Sequence, residues 1–157
     1  MAFDVTFTDG LPCATLKPRG HASGVIVIGE FKETISTALD VLSKQDYMHQ
    51  WRQAAQRIVQ GRDRSAIITS FADRGGVIVG MWWPLYVCEA GLVAIQNQMI
   101  SREVIDPRFS IHTCYDYVGL RETMNEEGET ISEWVTTVDE LAAFAKRIDK
   151  RLSECGN

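Results

Sequence analysis

The spacing of turn signals along this chain predicts an α+β domain, with a mainly antiparallel β-sheet of about five to six strands packed with two principal helices. Three observations carry the prediction. Strand-like runs between Ser65 and Ile100 follow one another through short turns, a hairpin pattern that disfavours a parallel sheet, whose crossovers need helices between strands. Two other stretches, near residues 44–60 and 138–152, repeat apolar residues at helical spacing. At 157 residues the chain is the size of one ordinary domain and can bury a core without metal or disulfide staples, so residues 1–157 are read as a single domain.

Each element has its own signal. Ala2 to Thr8 alternates Phe3, Val5 and Phe7 with polar residues and ends at Asp9-Gly10, a strand with one buried face followed by a turn. Leu11 to Ser23 carries Pro12, Pro18 and Gly20 with little periodicity and reads as a loop. Gly24 to Phe31 is a β-branched run and a second strand. Ser43 and Asp46 approximate a capping box, and Tyr47, Trp51, Ala54, Ala55, Ile58 and Val59 continue the helix until Gly61 closes it. Ser65 to Phe71 and Val77 to Val87 form a hairpin across Asp73-Arg74-Gly75-Gly76; Pro84 must sit at a bulge or turn its missing N–H outward. Gly91, in the left-handed position, returns the chain into a strand over Leu92 to Ile100. Ser110 to Tyr117 is a further strand candidate, Glu129 to Val135 a final short strand, and Thr137 caps a helix beginning at Val138 with Leu141, Phe144, Ala145, Ile148 and Leu152 on one face. The helices are expected to cover one face of the sheet and leave the other free. Trp51, Ile67, Trp134, Leu141 and Phe144 are expected in the core.

Composition narrows the function. With 45% apolar and 24% charged residues the chain has the make-up of a folded soluble protein, not a disordered one. No apolar run approaches the roughly 20 residues of a membrane span, and the N-terminus lacks the basic and apolar regions of a secretory signal, so the expected location is the cytoplasm. The four cysteines (Cys13, Cys88, Cys114, Cys155) stand singly, without zinc or redox spacing; four reduced thiols and no bound metal or cofactor are expected. The pI of about 5.2 argues against direct nucleic-acid binding, and Arg52, Arg57, Arg62 and Arg64 are too few for a basic stripe; they are candidates to face an acidic segment within the fold.

Catalytic patterns are missing. His21, His49 and His112 show no ligand or triad spacing, and His112 with Cys114 makes a conceivable pair only if that segment is a strand. Gly75-Gly76 lacks the other glycines of a phosphate loop. A carboxylate pair among Glu126, Glu127, Glu129 and Glu133 lies beside a turn, without the apolar wall that would raise a general acid's pKa. Trp82 and Trp83 point to opposite faces of their strand, so one should be part-exposed or beneath a loop, and an exposed tryptophan is an anchor candidate for a partner.

The densest signal is acidic. From Glu122 to Ala145 there is no Lys or Arg, and seven carboxylates fall there (Glu122, Glu126, Glu127, Glu129, Glu133, Asp139, Glu140), against a whole-chain charge of −5. Such a patch suits a basic partner, although acids are also ordinary at turns and helix starts.

Trp51 with Arg57, the run Ser65 to Ser70, Trp83 to Tyr86, Gln96 to Gln98, and Asn125 to Gly128 leading into Ile131 to Trp134 together resemble the CdiI-type immunity proteins of bacterial contact-dependent growth inhibition systems, over about residues 1 to 150. The resemblance implies a non-enzymatic cytoplasmic inhibitor that binds the cognate C-terminal toxin domain of a CdiA-like effector in a 1:1 complex. Many such toxins are nucleases, often directed at tRNA, whose basic grooves would accept carboxylates in place of phosphate. On charge, the toxin-binding candidates are Glu122, Glu126, Glu127, Glu129 and Asp139, with Trp82 as the aromatic anchor. Two other classes stay open: a small hydrolase, which needs His112, Cys114 or carboxylates to converge in a pocket, and a generic ligand-binding or adaptor domain, which needs only an exposed tryptophan and a groove.

Overall fold

The computed structural model describes residues 2–9, 20–100 and 109–155. In chain order the elements are β1 (Phe3–Phe7), β2 (His21–Ile28), β3 (Phe31–Ala38), α1 (Lys44–Val59), β4 (Arg64–Arg74), β5 (Val77–Val87), β6 (Leu92–Ile95), β7 (Gln98–Ile100), β8 (Trp134–Thr137) and α2 (Val138–Cys155). The strands form two antiparallel sheets, β1-β2-β3 and β4-β5-β6-β8, with β7 also paired to β5. The predicted α+β class holds, but the single sheet becomes two.

The strand β3 is absent from the sequence reading. Gly29, at φ 62°, makes with Glu30 a tight turn that folds Phe31–Ala38 back on β2, pairing Ile28 with Phe31 and Gly24 with Ile35. Its residues are mostly polar, the buried Thr37 included, and Gly29 itself looks like the continuation of a β-branched run. The loop expected over 11–23 gives way to β2 from His21 onward, and residues 10–19 lie outside the described residues.

In the larger sheet, β4 and β5 pair along their whole length with a bulge between Ile68 and Ser70. The strand expected over Leu92 to Ile100 breaks at Gln96-Asn97 into β6 and β7. Pro84 explains the position of that break. Its carbonyl accepts from Gln96 N–H at 3.1 Å, and because a strand residue presents N and O to the same side, its missing N–H faces the gap where the ladder is interrupted.

The helices close strand edges as well as burying apolar faces. Ser43 and Asp46 form the predicted capping box, at 3.1 and 2.9 Å, and Thr137 accepts from Glu140 N–H at the start of α2. Along the outer edge of β4, buried side chains of α1 replace a neighbouring strand: Gln50 accepts from Ile68 N–H (2.8 Å) and donates to Ala66 O (2.8 Å), the Tyr47 hydroxyl accepts from Phe71 N–H (2.9 Å), and Trp51 donates to Ile68 O (2.7 Å). On β1, Arg147 and Arg151 of α2 donate to Phe3 O and Val5 O. Edges occupied in this way are unavailable for unwanted pairing.

Trp51, Ile67, Leu141 and Phe144 are fully buried as expected, while Trp134 is only partly so, stacked on Phe31 at 4.2 Å. Both Trp82 and Trp83 are buried. Trp83 lies in the aromatic cluster with Phe31 and Trp134, and Trp82 meets Phe109 edge-on at 6.1 Å, beneath the segment that leads into a 3₁₀ turn at Cys114–Tyr117. That turn replaces the strand candidate at 110–117. The cysteine expectation is overturned at one position: Cys155 is disulfide-bonded, whereas Cys88 and Cys114 are free and Cys13 lies outside the described residues. Single spacing in sequence carries no information on which thiols the fold brings together.

Candidate functional site

The acidic segment folds as a projecting hairpin arm, and every residue from Arg121 to Thr130 is exposed. Asn125 builds its tip. Its side-chain oxygen accepts from Glu127 N–H (3.0 Å) and Glu129 N–H (2.9 Å), its carbonyl accepts from Gly128 N–H (3.0 Å), and Gly128 adopts φ 80°, a left-handed geometry that favours glycine. Bridge pairing of Met124 with Thr130 and an Ile131 N–H to Thr123 O bond (2.9 Å) hold the two sides together. The strand expected at Glu129 to Val135 is therefore divided: residues 129–131 return along the arm, and β8 begins only at Trp134.

The base of the arm is pinned to the sheet. Gln96, released from the ladder where β6 ends and almost fully buried, donates to Glu122 O (2.7 Å) and to the Glu133 carboxylate (2.8 Å). Arg121 grips the same carboxylate through two parallel bonds, at 2.7 and 2.6 Å. This fork, followed by the Gln96 bond, holds the Glu133 carboxyl below its ordinary pKa, and the arginine is held correspondingly more firmly protonated. Glu133 thus belongs to the frame.

The other carboxylates are differently placed. Glu122, Glu126, Glu127 and Glu129 are exposed on the arm and make no ion pair among the described residues. Asp139 is exposed outside the arm, in the first turn of α2, where a helix dipole favours an acid. Trp82, buried under the Phe109 segment, presents no surface for a partner. The basic residues of α1 and its exit do not pair with the arm: Arg62 is exposed with no ion pair among the described residues, while Arg52 pairs with Asp149, Arg57 lies over the Tyr115 ring, and Arg64 donates to Val118 O. The neighbours of these last three take them up first.

Sequence reasoning missed the Gln96 clamp, the Arg121–Glu133 fork and two exposed apolar residues, Leu120 just before the arm and Met124 on it. The last were visible as isolated apolar residues in a turn-rich acidic stretch. His112 is exposed while Cys114 is buried, with its thiol pushed up to about 12 by burial, so the conceivable nucleophile pair is not assembled. Among the described residues no group of three or more His, Cys, Asp or Glu side chains could hold a metal ion, and no helix is long and apolar enough to cross a membrane.

A family model for the CdiI N-terminal domain matches residues 37–144, a span that contains α1, β4 to β8 and the whole arm. The chain belongs to the CdiI family. As a CdiI-type immunity protein it is also similar to a chain of the CdiA-CT/CdiI toxin and immunity complex from Enterobacter cloacae, at TM-score 0.80 and 22% identity, covering 94% of this chain and 99% of that one. At that identity the likeness shows a shared fold. A comparison with curated proteins returns no match.

Proposed function

We propose that this CdiI-family protein neutralises the cognate C-terminal toxin domain of a CdiA-like effector by forming a 1:1 complex in the cytoplasm, without catalysis of its own. One observation carries the reading: the arm holds four carboxylates, Glu122, Glu126, Glu127 and Glu129, in solvent and uncommitted to any cation among the described residues. A protein that keeps such groups on a pinned frame has a surface ready for a basic partner. Family membership and the similar fold in a toxin and immunity complex support the same partner class. The target surface is the phosphate-binding groove of a nuclease, where carboxylates take the place of nucleic-acid phosphates and long-range attraction speeds encounter. Asp139 contributes to the field from the start of α2.

The test is co-expression with the C-terminal toxin domain of a cognate CdiA-like protein. The expected results are a stable 1:1 species on gel filtration, loss of the toxin's RNA-degrading activity in the complex, and an association rate that falls steeply as salt rises. Failure to form a complex, or to block toxicity in cells, would refute the immunity reading. A salt-independent association rate would refute its electrostatic part.

A further inference from the structure

The arm cannot account for tight binding alone. Exposed ion pairs contribute about 0–1 kcal/mol each, and the residues that dominate interfaces are apolar or aromatic groups buried at the centre of a charged or polar rim. A centre of that kind lies beside the arm. In the register of the larger sheet, Tyr86 is opposite Ala94 and Ala94 is opposite Val135, so the three share one face, and Leu92 lies on it two residues before Ala94. A hollow of about 480 Å³ opens at this end of the sheet, lined on that face by Leu92, Ala94 and Val135 and at the end of β5 by Val87 and Cys88, with Glu89 and Arg121 beside them. Val135, on this face, is 40% exposed, although a solvated sheet face ordinarily carries polar residues; Val87, opposite Val93 and so on the other face, reaches the hollow from the end of β5 and is 38% exposed. Further along the same face the chain covers its own apolar surface, since Trp82, four residues before Tyr86 on β5, is shielded by Phe109.

We propose that this hollow is the apolar anchor of the toxin interface, and that it receives a Leu-, Ile- or Phe-sized side chain flanked by Lys or Arg; the proposal rests on the immunity reading above. Charge selects the occupant. Arg121, the cation at the edge, is already committed to Glu133, so the local field is set by Glu89 and by the arm's unpaired carboxylates. That field attracts an apolar group between basic residues. It repels a second copy of this chain, which would bring an identical acidic arm and a net charge of −5 to the same place.

Cys88 supplies a reporter already in the hollow, because it is free and partly exposed, while Cys114 is buried and Cys155 is disulfide-bonded. The full chain, alone and in complex with the toxin domain, is treated with N-ethylmaleimide, and labelling of Cys88 is followed by peptide mass mapping. The complex is expected to slow labelling at least about tenfold. In parallel, Val135→Glu removes apolar surface while adding a charge that steering would favour; a binding hot spot predicts a Kd at least about thirtyfold weaker, at low and high salt alike. Circular dichroism of the variant shows whether it is folded, and the labelling arm needs no variant. If the complex forms but Cys88 labels at its free rate and Val135→Glu binds like the parent, the anchor is elsewhere and the immunity reading survives. Protection that depends on protein concentration without toxin makes a second copy the occupant and overturns the proposal. Absence of any complex or neutralisation overturns the immunity reading itself, and the anchor with it.

Discussion

Replacing Glu126, Glu127 and Glu129 together by Gln separates the charge of the arm from its shape. The side chains differ by one ionisable group, and the arm's tip is held by the backbone N–H groups of Glu127 and Glu129 on Asn125, which Gln retains. The fold should therefore persist. The magnitude follows from Coulomb's law for one basic group of the toxin facing each carboxylate at an encounter distance of about 8 Å, where a pair in water attracts by about 0.9 RT. Screening at 0.15 M salt, where the Debye length is also about 8 Å, reduces this to about 0.3 RT; at 0.01 M, with a length near 30 Å, about 0.7 RT remains. Three pairs sum to roughly 1 RT and 2 RT. The triple variant should associate roughly threefold more slowly at 0.15 M and roughly sevenfold more slowly at 0.01 M. Stopped-flow mixing with the toxin domain at both salts measures the two ratios. Equal rates for variant and parent at both salts would show that the arm's charge is not what meets the toxin.

Gln50→Leu should leave Ile68 N–H and Ala66 O buried without their side-chain partner, at about 1–3 kcal/mol for each group and so roughly 2–6 kcal/mol in all; urea unfolding measures it, and a loss within about 0.5 kcal/mol of zero would remove α1 as the closure of the β4 edge. Glu133 has its folded pKa depressed by Arg121 and then Gln96, so its stabilising contribution is present above the ordinary carboxylate value of about 4.3 and is lost as pH falls through the lower folded value. The Gln96 side-chain amide resonances should report this acid transition, and Arg121→Ala should move its midpoint upward; an unmoved midpoint would contradict the fork. Purified without reductant and then denatured, the chain should show no labelling at Cys155 until a reductant is added, with Cys88 reactive in the native state and Cys114 only on unfolding. Labelling of Cys155 without reductant would refute that assignment.

Local signals in the sequence located the elements whose cause is local. The capping box at Ser43, the Gly91 return (φ 72°) and the Thr137 cap all involve groups within a few residues of each other, and all are present. What could not be read depends on distant partners. β3 is mostly polar because most of its residues up to Ser36 are exposed, and its turn at Gly29 is visible only once β2 supplies a partner. The break between β6 and β7 is set by a proline on the neighbouring strand, and the 3₁₀ turn at Cys114–Tyr117 by the need to cover Trp82 and β4. The acidic patch was legible as composition, and the division within it was not. Whether Glu133 is free or bound depends on Gln96, which lies 37 positions earlier in the chain.

That division has a consequence for how an immunity protein of this fold could change its target. The groups that shape the arm bond through the main chain or through residues at its base: Asn125 to two backbone amides, Gln96 to Glu122 O, Arg121 to Glu133. The carboxylates of Glu126, Glu127 and Glu129 take no part in this frame. A side chain that makes no native bond can be replaced with little cost to stability, whereas loss of the Gln96 clamp or of the Gly128 turn would release the whole arm and raise the entropy lost on binding. The shape of the arm and its surface charge are therefore separable here. The same holds for the hollow, whose floor at Ala94 is buried core and whose rim at Val87 and Val135 is exposed. If the proposed interface is right, substitutions at the rim and at the arm's acids change which toxin is recognised, while the sheet that presents them keeps its fold.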